Sequence, residues 1–395
     1  MTVAPAEAPG GNWIGSPPSL VERSAVMFLG VTGVMFAGVG PLLLGGLQAE
    51  GRLSAAQIGQ AGTVELLAMG IGAALAGTLF GVQRLRPVAI GCGLAMALLN
   101  WLTLRADGDM VTLVRGINGL PSGVLIWLIT GMIVRAPRPG QWAGLYLTIQ
   151  TLAQFVVVAA LTAFVIGALG TRGGFLCLSG LGLLAALAGF VTPAAYAPLA
   201  ESSDTARTGW PSGRGWLALL AAFCFQAFIL AVWIYVEPLS RQSGHAEGTA
   251  GIALSASLAA QVLGGTVATV LAGRAAWFRA LFGSIAAMIV LLGLFALLPG
   301  VAVFLAASAA FGFLWMFASP WLTPMAIEAD PSRNAALLGP GAALLGCGAG
   351  PFLASLVVTD TDVRACLVLG AGLAAAALVI VAALHFTRPR GGDPR

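Results

Sequence analysis

Lysine is absent from this 395-residue chain, and all 19 of its basic residues are Arg. A phosphate-binding loop of the G-x-x-x-x-G-K-[ST] type needs that Lys, so an ATP-driven pump built on one is excluded. Only two His occur, His245 and His385. The five Cys (Cys92, Cys177, Cys224, Cys347 and Cys366) stand apart in apolar contexts and form no C-x-x-C pair. No ligand cluster for zinc or haem follows from such residues, and we expect neither a metal nor a cofactor. Charge of either sign is scarce, at 9% of residues, against about 25% in a soluble domain. The net charge of +4 is spread singly or in pairs and builds no nucleic-acid surface. A periodic Arg series of the voltage-sensing kind is missing as well. No paired acids or His gather at one membrane face, so catalysis is not expected.

What the chain has instead is apolar length. Hydrophobic residues make up 58% of it, with a mean hydropathy of +0.94. No soluble interior could hide that much apolar surface, so part of the solvent is lipid. In hydrocarbon every backbone N–H and C=O must be satisfied internally, which leaves helices or closed barrels. The runs here extend for about twenty residues without the alternation that barrel strands show, so they are helices. The spacing predicts twelve spans, near 25–48, 55–80, 87–105, 110–134, 142–168, 173–195, 215–238, 248–273, 277–298, 300–327, 334–358 and 363–386. The expected fold is an all-α polytopic membrane protein of two six-helix pseudo-repeat bundles, 23–196 and 215–387. Residues 1–22 lack a basic leader region and read as a disordered cytoplasmic tail, as do 388–395. The polar stretch 197–214 reads as a cytoplasmic linker.

Arg placement orients the spans. Arg52, Arg105, Arg172, Arg241 and Arg364 fall in odd-numbered loops, and Arg115 lies inside span four. The remaining thirteen fall in the tails and even-numbered loops, a bias that places both termini in the cytoplasm. Lys-free, Ala- and Gly-rich usage suggests a bacterial inner membrane. An internal echo supports duplication: WLITGMIVRAPRPGQWAGLYLTIQTLAQ and WMFASPWLTPMAIEADPSRNAALLGPGAALLGC both pass from an aromatic helix through a Pro- and Arg-containing turn into a small-residue helix.

Residues 115–123 read RGINGLPSG. Spacing of four puts Arg115, Gly119 and Gly123 on one helical face, where the glycines admit a neighbouring backbone. This resembles the fourth-helix motif of major facilitator superfamily transporters. The loop after span two, GTLFGVQRLRP, is similar to that superfamily's Gly-x-x-x-Asp-Arg-x-Gly-Arg-Arg signature through Gly77, Arg86 and Pro87, with Gly81 in place of its acid. The Gly-Pro signature of drug/proton antiporters is missing from span five, while GCGAGP occurs at 346–351 in span eleven. The resemblance implies a monomeric secondary transporter that moves a small organic solute by alternating access, coupled to protons. A non-transporting receptor, assembly factor or embedded enzyme on the same fold is the alternative.

Two acids are candidates for proton coupling. Glu65 lies about ten residues into span two, roughly 15 Å deep; it either couples protons or forms a fixed ion pair with Arg115. Glu237 ends span seven beside Pro238 and Arg241. It is either an interfacial charge or part of a face shared with Gln226 and Trp233. Further polar stripes are Asn118 and Ser122 beside Arg115, Tyr146, Gln150 and Gln154 on span five, Ser257 and Gln261 on span eight, and Trp315, Ser319 and Thr323 on span ten. Such side chains line a solute cavity or join helices. Arg115 could accept a carboxylate bidentately, with Trp127, Trp233 and Trp315 covering an apolar body, so an organic anion is the expected solute.

Overall fold

The computed structural model describes residues 13–133, 135–136, 139–197, 210–271, 275–330 and 334–387. The expected tail 388–395, most of the tail 1–22 and the centre of the linker 197–214 lie outside the described residues, as do Arg138, Arg207, Arg274 and Arg333. Every regular element among the described residues is helical. The first part of the chain forms α1 (Leu20–Ala49), α2 (Ala55–Phe80), α3 (Leu85–Thr103), α4 (Asp109–Ile133), α5 (Pro139–Ala160) and α6 (Gly167–Gly189). The second forms α7 (Gly213–Trp233), α8 (Val236–Gln242), α9 (Thr249–Leu271), α10 (Trp277–Ala296), α11 (Val301–Ala318), α12 (Leu322–Ala329), α13 (Asn334–Ser355) and α14 (Ala365–Phe386).

Local chemistry sets the starts. Ser19 accepts from the Glu22 amide while Glu22 accepts from the Ser19 amide, and Ser54 and Gln57 repeat this capping box before α2. Among the described residues, ten helical stretches are long and apolar enough to cross a membrane, and Gly341–Ser355 is a shorter apolar one. The protein is therefore a multi-pass membrane protein.

Two expected spans, seven and ten, are subdivided, and two others, five and six, run together, each for a visible reason. Span seven breaks after Trp233: Tyr235 leaves helical geometry (φ −102°, ψ 10°), and Pro238 has no N–H to donate to the Ile234 carbonyl one turn back. Span ten passes through a tight turn at Ser319–Trp321, where Pro320 likewise has no N–H. Spans five and six run together as Gly144–Gly189, joined by a π-helical turn at Leu161–Ile166. As one rod its 46 residues would measure about 69 Å, more than twice the hydrocarbon core. It reverses instead at Gly170, whose φ of 58° favours glycine. Contacts with α1 trace the reversal. Tyr146 donates to the Gly30 carbonyl and Gln154 to that of Val34; Thr171 then lies against Gly46 and Gly174 against Leu43. Glu50 caps the restart, accepting from the Thr171 amide at 3.1 Å and its hydroxyl at 2.6 Å.

Packing among α1–α6 is led by α2 on α4 and α3 on α6; among α7–α14 it is led by α7 on α13 and α9 on α11. The two sets meet chiefly through α2 on α13 and α5 on α9.

Candidate functional site

Among the described residues the most deeply buried charges are Glu65 on α2 and Arg115 on α4, at 1% and 0% exposure. Arg115 Nε donates to Glu65 Oε2 at 2.8 Å, and Nη2 donates to Oε1, giving a bidentate pair. Nη1 donates to Asn100 Oδ1 at 2.8 Å, and Asn118 Nδ2 donates to Glu65 Oε1 at 3.0 Å. Asn100 is held in turn by the Met96 carbonyl, and Ser122 donates to the Asn118 carbonyl. The Arg115 guanidinium lies 3.8 Å from the Phe36 ring centroid. All of this sits among α1–α4 and α6, away from the second set of helices. Gly119 and Gly123 bring α4 against the α2 backbone: an added Cβ at Gly119 would overlap the Glu65 carbonyl, and one at Gly123 that of Met69.

The other sequence candidates scatter by role. Tyr146 and Gln154 tie α5 to α1, and Gln150 is half-buried. Trp233 and Trp315 meet edge to face at 5.7 Å, and Trp233 Nε1 donates to the Ala37 carbonyl. Ser319 donates back to the Trp315 carbonyl, Thr323 is exposed, and Gln226 has a buried Oε1 without a partner among the described residues. Trp127 faces Gly77 on α2. Arg86 donates to the Thr192 carbonyl at 2.8 Å, tying the start of α3 to the chain after α6; Pro87 is in that first turn.

At the face opposite the chain termini the two sets of helices are sealed together. Tyr235 donates to the Ala55 carbonyl and Thr63 to that of Gly348; the Ala55 amide donates to Asp360 Oδ1 at 2.6 Å. Glu237 packs on Gly45 and pairs with Arg241 at 3.0 Å, while Arg241 donates to Gln48 Oε1 at 2.8 Å. The break after Trp233 corrects the expected shared face of Gln226, Trp233 and Glu237, because Glu237 belongs to the separate helix α8. Nearby, Arg364 and then Gln242 donate to Asp362 and hold its carboxyl well below the usual carboxylate range. Of this seal the sequence pointed only to Glu237 beside Arg241; the bonds made by Tyr235, Asp360 and Thr63 join distant segments.

Toward the termini face, α5 and α9 part around a cleft of about 640 Å³ that α11 also lines. Gly144 and Gly265 border it, and a Cβ on either would meet only open space. Thr151 and Gln261 lie at its deep end, near the middle of their helices, and both are buried. Thr148, Thr266 and Thr269 line the rest.

No family model matches the sequence, and no curated protein matches it either. The fold, however, is found in solved structures. The crystal structure of the nucleoside transporter NupG superposes with a TM-score of 0.71 at 15% identity, covering 93% of this chain and 99% of that one. A bacterial homologue of the human lysosomal transporter Spinster, inward-facing and occupied, gives 0.58 at 16% identity, covering 94% and 96%. At such identities the likeness shows the fold alone, and this chain has the fold of these two transporters.

Proposed function

We propose that this protein is a secondary transporter of a small organic solute, working by alternating access. The observation that carries the reading is the cleft itself: it opens between the two sets of helices on one face while the opposite face is sealed. Its volume falls within the ~300–1,000 Å³ of small-molecule sites. Taking Gly144–Gly189 as two spans and α13 as one more gives the twelve-span count. The repeated packing of α2 on α4 and α9 on α11 supports two related bundles. With the termini cytoplasmic, as the Arg bias indicates, the sealed face is external and this conformation is inward-facing.

The geometry favours the fixed-pair reading of Glu65 and Arg115, because both are enclosed within the first set of helices and neither lines the cleft. Glu237 is the better candidate for coupling, since it sits where the helix sets must separate. The seal's energy is modest: neutral hydrogen bonds contribute ~0.5–1.5 kcal/mol each, and bonds to charged groups more. Tyr235→Phe combined with Arg241→Ala is accordingly expected to raise hydrogen exchange in the first turn of α2 about tenfold. Unchanged exchange there would count against a gate at this face.

The transport reading is tested by closing the cleft. Gly265→Trp places an indole where a side chain meets open space, so the fold is retained and solute flux into proteoliposomes is lost. A Gly265→Trp protein that carries solute at the wild-type rate would remove the cleft from the path.

A further inference from the structure

Accepting the transporter reading above, the cleft also carries information about its cargo. Among the described residues, none that lines it is charged. An anion or cation at the deep end would sit roughly 15 Å along the helices, in a low-dielectric setting, with no counter-charge beside it. Arg115 is no substitute, being enclosed and paired with Glu65. The polar groups that are present have defined hydrogen-bond roles. Thr148, Thr151, Thr266 and Thr269 donate to the carbonyls of Gly144, Leu147, Val262 and Gly265, one turn back on their own helices. Their hydrogens are thereby used, and their oxygens retain lone pairs for donors on a solute. Gln261 is the complement: it is 4% exposed, lines the same cleft, and its buried Nε2 has no partner among the described residues. Leaving a buried amide N–H unpaired is costly, which marks a position for an acceptor.

We infer that the cleft takes a neutral organic solute bearing hydroxyl or N–H donors and at least one carbonyl or ring-nitrogen acceptor, with Gln261 donating to that acceptor and Thr151 receiving a solute donor. The expectation of an organic anion, which rested on Arg115, is replaced by this one. The seal at the opposite face adds no charge to the cleft, because Glu237 and Arg241 neutralise each other.

The test uses full-length protein in proteoliposomes with four labelled probes: uridine and glucose as neutral solutes, benzoate as an anion and choline as a cation. Saturable uptake is expected for a neutral probe and for neither ion. Gln261→Leu is expected to lower that uptake about tenfold at subsaturating solute, the loss of one hydrogen bond to a buried donor. Thr151→Val, nearly isosteric, keeps the test open if Gln261→Leu folds poorly, and is expected to lower the same uptake several-fold. Uptake of benzoate or choline alone, or wild-type uptake by both folded variants, would overturn the neutral-solute inference and leave the transporter reading standing. Failure of every probe to move would remove the transporter reading, and this inference with it.

Discussion

Arg115→Ala is expected to destabilise the protein by about 3–5 kcal/mol, the usual cost of stranding one partner of a buried ion pair. The reason is geometric. Arg115 gives Glu65 two parallel hydrogen bonds, and Asn118 supplies a third at 3.0 Å, in a site where neither charge reaches water. With the guanidinium gone, the Glu65 carboxylate must be neutralised or held in an apolar enclosure, and Asn100 loses its donor as well. The two charges cost less to remove together than singly. Glu65→Leu with Arg115→Met replaces the pair by apolar groups of similar volume, a change that is often neutral. Thermal unfolding in detergent, followed by loss of monodisperse protein, should place Arg115→Ala well below wild type and the double variant close to it. A double variant that also transports normally would establish the pair as structural. One that is stable but inert would return Glu65 to the coupling mechanism.

The second large effect is at Gly123. A Cβ there would overlap the Met69 carbonyl oxygen and come within 2.7 Å of the Ala73 amide nitrogen. Both are backbone atoms that no rotamer change can move. Gly123→Val must therefore push α4 off α2 along their longest contact. Overpacking of this kind costs roughly 1–3 kcal/mol in soluble cores, and between membrane helices van der Waals packing is the main cohesive force. The Glu65–Arg115 bonds span the same interface, so the displacement would stretch them too. Gly91→Val is the control, because a Cβ at Gly91 on α3 meets nothing within 4 Å. Folded yield and melting temperature should fall sharply for Gly123→Val and stay near wild type for Gly91→Val. Equal values would mean that α2 and α4 do not approach as closely as described.

That contact was legible in the sequence, because Arg115, Gly119 and Gly123 recur at the helical period and only small residues tolerate such an approach. Glu65 was legible for a similar reason: a carboxylate ten residues into an apolar run requires a partner, and Arg115 was the one available. The helical class and most span boundaries followed from apolar length alone. What could not be read was anything set by contacts between distant segments. Asn100 completes the Arg115 cluster from a third helix, yet in sequence it is a single amide near the end of a span. Tyr146 and Gln154 have the spacing of a solute-facing stripe, but the carbonyls of α1 take both, a choice that depends on which neighbour comes nearest. Thr151, which faces the cleft, looks no different from a threonine facing lipid. The breaks at Tyr235 and Pro320 required knowing where a missing N–H would go unreplaced.

Asp360 has one more consequence, beyond joining two loops. It stands at the amino end of α2, where the aligned peptide dipoles leave a partial positive charge. On the alternating-access reading, the carboxylate and that helix end belong to the two parts of the molecule that separate when the sealed face opens. Opening thus bares a positive helix end to the bathing solution, and small anions from the electrolyte can take the place of the carboxylate. A charge at such a terminus is worth about 0.3–1 kcal/mol at low ionic strength and less as salt rises. On that reading, salt on one side of the membrane only is expected to tune the balance between the two conformations.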